Sequence, residues 1–183
     1  KTGKADMVYK FVSTSKISFP GSGISAVAAS RNNLEDITHQ LSMQTIGHDK
    51  VNQLRHVRYF RDMEGMHEHM RRHAEILRPK FLKVDEILTR ELEGTGVGTW
   101  TKPLGGYFIS FESLPGCAKD IVALCKKAGV VLTGAGATYP YKKDPNDSNI
   151  RIAPSYPPIE DLATATELFA LCVKIVSLKK LIG

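Results

Sequence analysis

A lysine among hydroxyls is the first place where this sequence could do chemistry. In "FVSTSKISFPGSG", Phe11 to Gly23, Ser13 and Ser15 lead up to Lys16, and Pro20, Gly21 and Gly23 follow it. A lysine amine becomes nucleophilic, and able to form a Schiff base with a carbonyl, where burial or nearby cations disfavour its charged form. Serine hydroxyls beside it can donate hydrogen bonds to an anion such as a phosphate. The proline–glycine pair fixes the turn that follows. The same residues also read as a surface turn that contains a lysine, because Ser-x-Ser-Lys recurs by chance. Arg151, in "NIRIAPSYPP", carries a guanidinium fork that can bind a carboxylate bidentately; taken alone, it reads as an arginine capping a strand end. His69 and His73, in "MHEHMRRH", stand at i and i+4, a spacing that can hold a metal on a helix. No third ligand accompanies them and arginines adjoin, so a solvated helix face is the expectation.

The elements that must position these residues follow from periodicity. "MVYKFVS", Met7 to Ser13, and "GISAVAAS", Gly23 to Ser30, read as two short buried strands around the Lys16 loop. A helix follows, with Asn32 or Asn33 as N-cap, Glu35 and Asp36 in its first turn, and Gly47 at its end. The strongest helical signal runs from about Asp49 to Glu93: Met63, Met66, Met70, Ala74, Leu77, Phe81, Val84 and Leu88 recur at spacings of three and four. Pro79 is expected to bend or divide that run. "GTGVG", Gly94 to Gly98, resembles a nucleotide loop only superficially, because no helix pattern opens after it, and reads as a flexible interdomain turn. Gly105 to Ser113 reads as a strand, and Cys117 to Gly129 as a helix with Gly129 at C′. "VVLTGAGATYP" reads as a strand and loop, and the segment around Arg151 as a strand ended by prolines. The stretch from Ile159 onward reads as a final helix buried on more than one side. Lys142 and Lys143 beside Asp144 and Asp147 read as an exposed loop. The alternation of strands and helices in the second half indicates an α/β or α+β layer arrangement.

Bulk properties narrow the function. The 183 residues, with 42% hydrophobic and 24% charged content, suit a soluble globular protein of one large or two small domains. No apolar run approaches the roughly 18 residues of a membrane span, and the N-terminus lacks the apolar region of a signal peptide. The net charge of +6 is spread over many segments, with no basic run and no interleaved aromatics, which argues against nucleic-acid binding. Cys117, Cys125 and Cys172 are odd in number and form no Cys-x-x-Cys pair. They are expected to be buried, inert thiols of a reducing, cytoplasmic compartment. The abrupt polar start without Met is expected of a piece of a longer protein.

Several motifs together carry a resemblance. "STSKISFPGSGISAVAAS" is similar to the Schiff-base lysine segment of fold-type I pyridoxal-phosphate-dependent aminotransferases, with one serine three residues before the lysine and another directly before it. "GGYFISFE", "GATYPY" and "NIRIAPSYPP" resemble that family's small C-terminal domain. Together with "QTIGHDKVNQLRHVRYF" they most resemble the bacterial aspartate aminotransferase subgroup related to the aminotransferase half of MocR-type regulators. The resemblance runs from Met7 to the end.

The resemblance implies an α/β fold, the C-terminal part of a fold-type I transferase. Residues 1–50 would be the end of the large cofactor domain, and 51–183 the interdomain long helix and small α+β domain. It implies that Lys16 forms the Schiff base with pyridoxal 5′-phosphate, that Ser13 and Ser15 contact the cofactor, Ser13 its phosphate, and that Arg151 holds the substrate α-carboxylate. Amino acid and 2-oxo acid substrates, aspartate and 2-oxoglutarate foremost, and a homodimer follow from the same likeness. The piece by itself is expected to be inactive. A regulator's aminotransferase-like domain, a binding domain that kept the fold without the reaction, and an enzyme for another amino donor are the alternatives. The sequence departs from many relatives where an arginine would grip the phosphate seven or eight residues after the lysine: Gly23 and Ile24 stand there, so other groups, such as backbone N–H donors, must serve.

Overall fold

The two stretches flanking Lys16 pair as an antiparallel ribbon in the computed structural model, which describes residues 3–183. β1 (Tyr9–Ser13) runs against β2 (Ser25–Ala29), with Tyr9 opposite Ala29 and Ser13 opposite Ser25. β1 starts later than expected because Ala5–Met7 closes a 3-10 turn. The expectation that both strands are buried fails: β1 is exposed along its length, and β2 is exposed except at the half-buried Val27 and Ala29. A lone two-stranded ribbon has no third strand or second layer to cover its apolar side.

The chain divides into two compact units, Lys1–His73 and Ala74–Gly183. In the first, α1 (Arg31–Gln44) is capped by Ser30, whose Oγ accepts the Asn33 N–H at 3.3 Å. The cap therefore falls ahead of Asn32 and Asn33, and Glu35 instead pairs with Arg31 at 3.0 Å, four residues apart. Thr45 ends the helix before Gly47 is reached, and no residue of α1 is buried.

The long helical run is divided, but not at Pro79. α2 (Lys50–Phe60) ends where Arg61 takes φ 64°, and α3 (Met63–Leu92) continues unbroken through Pro79. Asp62 Oδ1 accepts the Gly65 N–H at 2.9 Å at the start of α3. A Cβ on Gly65 would stand 1.9 Å from the Phe60 carbonyl oxygen, so only glycine allows this close reversal. A helix breaks where left-handed backbone and a capping side chain satisfy the freed groups. Arg61 and Asp62 supply both; Pro79 removes one N–H and crowds the preceding turn, but supplies neither.

The second unit holds a three-stranded antiparallel sheet in the order β3–β4–β5, formed by β3 (Gly98–Trp100), β4 (Ile109–Ser113) and β5 (Asn149–Ile152). Alternate β4 residues Ile109, Phe111 and Ser113 are buried, as the period of two requires. β3 was not expected from the sequence. Gly98 admits it beside the Phe111 ring, which a Cβ there would approach to 2.4 Å at Cζ. The "GTGVG" turn joins α3 to β3 inside this unit rather than between units. α4 (Ala118–Lys127) ends as expected on Gly129, φ +90°: Gly129 N–H donates to Lys126 O and Val130 N–H to Cys125 O. The strand expected over "VVL" does not form. Val130 spends its N–H on that helix end, and Ala137 N–H closes a turn onto Gly134 O. α5 (Ile159–Ile182) buries Leu162, Phe169, Cys172, Val173 and Val176 over a wide arc, as expected. They join Val84, Leu88, Phe111, Ile121 and Ile150 in one core, where Phe111 meets Phe169 edge-on at 5.0 Å.

Candidate active site

Lys16 rides on a turn whose two ends are tied together. Thr14 N–H donates to Ile24 O at 2.8 Å, and Ile24 N–H returns to Thr14 Oγ1 at 2.9 Å. Ile17 and Ser18 N–H both donate to Thr14 O at 2.8 Å, closing the backbone around Lys16. On the exposed side, Ser13 Oγ and Ser15 Oγ lie 2.8 Å apart, and Ser15 N–H donates to Ser13 Oγ at 3.2 Å. Gly23 makes this closeness possible: a Cβ there would fall 2.6 Å from Ser15 Oγ and 2.9 Å from its Cα. Ser13, Ser15 and Lys16 thus share one exposed turn of the first unit. Position 23 matters here as glycine, because its backbone packs against Ser15 with no room for a side chain.

Behind the turn, α2 holds the loop. Ser18, 4% exposed, places Oγ 2.8 Å from Nε2 of His56, itself 4% exposed. His56 Nδ1 faces Asn52 O at 2.9 Å and donates to it, since a carbonyl oxygen only accepts. Asn52 Nδ2 donates to Ser22 O at 2.9 Å and Arg55 Nη1 to Ser22 Oγ at 3.2 Å. Phe19 fills the centre of a ring cluster with His56, Tyr59, Phe60 and His69, at centroid distances of 5.1 to 6.0 Å.

His69 and His73 do not form a solvated face. Both are half-buried, with ring centroids 4.2 Å apart, and His69 Nε2 reaches Ser18 O at 3.4 Å. Burial, then the neighbouring His69, push the His73 pKa down. No cluster of three metal-ligating side chains occurs among the described residues.

Arg151 belongs to the second unit. It lies on β5 opposite Ser110, with its guanidinium carbon 4.4 Å from the Phe108 ring centroid and Nη2 donating to Thr133 Oγ1 at 3.2 Å. Its Nε is buried without an acceptor, and no carboxylate pairs with it among the described residues. It lines a recess of about 150 Å³ with Thr133, Pro157, Leu162 and Phe169. A buried donor without a partner costs stability, and a carboxylate arriving at this guanidinium would satisfy it. Two loops brace β5. Asp144 accepts N–H groups of Asn146, Ser148 and Asn149 at 2.8 to 2.9 Å, so it organises the loop instead of lying idle in it. Lys80 Nζ donates to Ser155 O at 2.8 Å and Pro157 O at 2.6 Å.

Sequence reasoning missed Asn52, Arg55, His56, Thr133 and Phe108. The first three recur with Tyr59 and Phe60 at i, i+3, i+4, i+7 and i+8 along α2. That is a helix-face pattern made of polar and aromatic residues, which an apolar-stripe search passes over.

An α/β chain with a lysine turn next to an open hydroxyl pair, and a carboxylate-ready arginine on the sheet of a second unit, corresponds to the C-terminal portion of a fold-type I aminotransferase. Comparison with known proteins agrees: the aspartate amino-transferase family model matches residues 1–183, and the chain belongs to that family. An aspartate aminotransferase of Corynebacterium glutamicum is 47% identical over 171 residues, covering 93% of this chain and 40% of that protein. The crystal structure of an aspartate transaminase from the same species superposes with a TM-score of 0.92 at 46% identity, over 94% of this chain and 41% of its own. An alpha-aminoadipate aminotransferase from Thermus thermophilus, complexed with N-(5′-phosphopyridoxyl)-L-leucine, shares the fold at a TM-score of 0.73 and 18% identity, over 92% of this chain and 42% of its own. The chain spans about 40% of the length of the curated relatives it matches.

Proposed function

We propose that the whole protein is a pyridoxal 5′-phosphate-dependent aspartate aminotransferase, exchanging the amino group between aspartate and 2-oxoglutarate. The observation that carries this reading is the Lys16 turn: an amine on a backbone tied at both ends, preceded by two exposed hydroxyls 2.8 Å apart, with Gly23 packed closely against Ser15. Those residues fit the cofactor. Ser13 and Ser15, both exposed and with their hydroxyls 2.8 Å apart, offer hydroxyl donors to its phosphate. Once bound, pyridoxal phosphate supplies an aldehyde for amines and a ring that withdraws electrons from a substrate's α-carbon.

The chain's own residues divide the remaining work. Lys16 Nζ would hold the cofactor and would take the proton from the substrate α-carbon. Arg151 binds the α-carboxylate through its two-pronged guanidinium, whose orientation the Phe108 ring and Thr133 restrict. Two charge-assisted hydrogen bonds of about 1.5–3 kcal/mol each would fix the substrate's direction as well as hold it. Aspartate as donor is supported by the 47% identity to a protein of that name.

In this reading, residues 1–50 close the large cofactor domain, 51–183 form the interdomain helix and small domain, and the active protein is a homodimer. The three cysteines, all free and buried, support a reducing cytoplasm. Reducing the loaded whole protein with borohydride and mapping its peptides tests the proposal. The label is expected on Lys16; a label elsewhere, or none, overturns it.

A further inference from the structure

We propose that His56 is a positioning residue which, through Ser18, fixes the turn carrying Lys16. The inference rests on reading Lys16 as the cofactor lysine and adds a residue from another element to its site.

Three observations meet at this imidazole. First, it is immobilised: Nδ1 donates to Asn52 O one helical turn earlier, and the ring packs edge-on against Phe19 at 5.1 Å. Second, its other nitrogen faces Ser18 Oγ at 2.8 Å, across 38 residues of sequence, with both side chains buried. Third, Ser18 Oγ is also 2.9 Å from Thr14 Oγ1 and 3.2 Å from Thr14 O. Thr14 O receives the two N–H groups that shape the Lys16 turn, and Thr14 ties that turn to Ile24.

The polar path from α2 thus runs His56, Ser18, Thr14, and ends on the backbone that aims the amine. A buried polar group with one partner removed leaves the other unsatisfied. Loss of the imidazole therefore loosens the turn rather than merely deleting a contact. Phe19, one residue beyond Ser18, would stay wedged among the aromatic rings, so the fold of the unit has a second anchor and the loss is local.

The test uses the whole protein as wild type, His56→Ala, His56→Gln, Ser18→Ala and the double alanine variant. Amide hydrogen exchange of residues 14–24 is expected to speed up about tenfold in each single alanine variant, with residues 109–113 unchanged. The double variant should exchange no faster than His56→Ala, because both changes break one path. His56→Gln can place an amide atom where Nε2 stood and should return exchange to within about threefold of wild type. With pyridoxal phosphate bound, the pH midpoint of the visible absorbance should move in the alanine variants and recover in His56→Gln, which a purely structural role would not produce. Unchanged exchange in both alanine variants, additive effects in the double, or a midpoint that stays put overturns the inference. If His56→Ala fails to fold, Ser18→Ala and His56→Gln still decide it. Should wild type take no label at Lys16, the aminotransferase reading fails by itself, and the exchange measurements still decide whether His56 holds the turn.

Discussion

The guanidinium carbon of Arg151 stands 4.4 Å from the centre of the Phe108 ring, while its Nε is buried with no acceptor. A cation over an aromatic face is attracted to it, so the side chain is oriented without being neutralised. In the proposed reading, a carboxylate ligand would meet a guanidinium that is aimed and still has a donor without an acceptor.

That relationship sets the first prediction. In the whole enzyme, Arg151→Ala is expected to lower kcat/KM by about two to four orders of magnitude, as the loss of two charge-assisted bonds implies. Arg151→Lys keeps the charge but not the fork, and should recover only part of the loss. Steady-state kinetics with aspartate measure both. A deficit below tenfold in the alanine variant removes Arg151 from carboxylate binding.

The second concerns Gly23. An added Cβ would press on the Cα of Ser15 at 2.9 Å as well as on its hydroxyl, and backbone cannot swing aside as a side-chain tip can. Gly23→Ala should therefore cost about 1–3 kcal/mol and spread the Ser13–Ser15 pair. Denaturant unfolding and borohydride labelling of Lys16 check it, and both should fall together. A variant with wild-type stability and full labelling would show that the loop does not need the close approach.

Local chemistry is what the sequence displayed openly. The Lys16 turn, the Gly129 helix end and the strand around Arg151 are each written in a few adjacent residues whose backbone preferences decide the outcome. Of the bend or division expected at Pro79, the division falls instead at Arg61 and Asp62, where Gly65 comes close to the Phe60 carbonyl, an approach that exists only after the chain has turned. The buried strands failed for a related reason: Phe11 and Val12 have strand-like apolarity, yet burial needs a covering layer, and within its unit β1 remains exposed. Asn52 and His56 were invisible as loop supports since their partners Ser22 and Ser18 lie 30 and 38 residues away.

Cys125 gives a prediction at high pH. Burial, then the neighbouring Cys172, raise its pKa from the ordinary thiol value of 9.0 to about 12. Between those values the unfolded chain gives up the proton that the folded chain retains, so folded stability falls as pH rises from about 9 towards about 12. Below about 9 the thiol adds no pH dependence. Cys125→Ala should lower stability throughout, through lost packing, but flatten the decline of Tm across that window. Parallel Tm curves for wild type and variant would exclude the thiol as a source of the decline. In the native protein Cys125 should also resist alkylation, because the thiolate is the reactive form.

His73 gives the opposite sign at low pH. Its pKa is depressed, first by burial and then by His69, whose ring lies 4.2 Å away. A depressed folded pKa means that the unfolded state binds the proton more readily. Stability is therefore whole above the ordinary histidine value of 6.5 and drains away as pH falls through and below it. His73→Gln removes the titrating group and keeps a polar side chain of similar reach. Its Tm, followed by circular dichroism from pH 7.5 to 5, should decline less steeply than wild type (a window set about the ordinary histidine pKa of roughly 6.5). His69→Gln should flatten the same curve in part, because it withdraws one of the two causes and leaves burial in place. If His73→Gln follows the wild-type slope, the half-buried pair does not govern acid sensitivity.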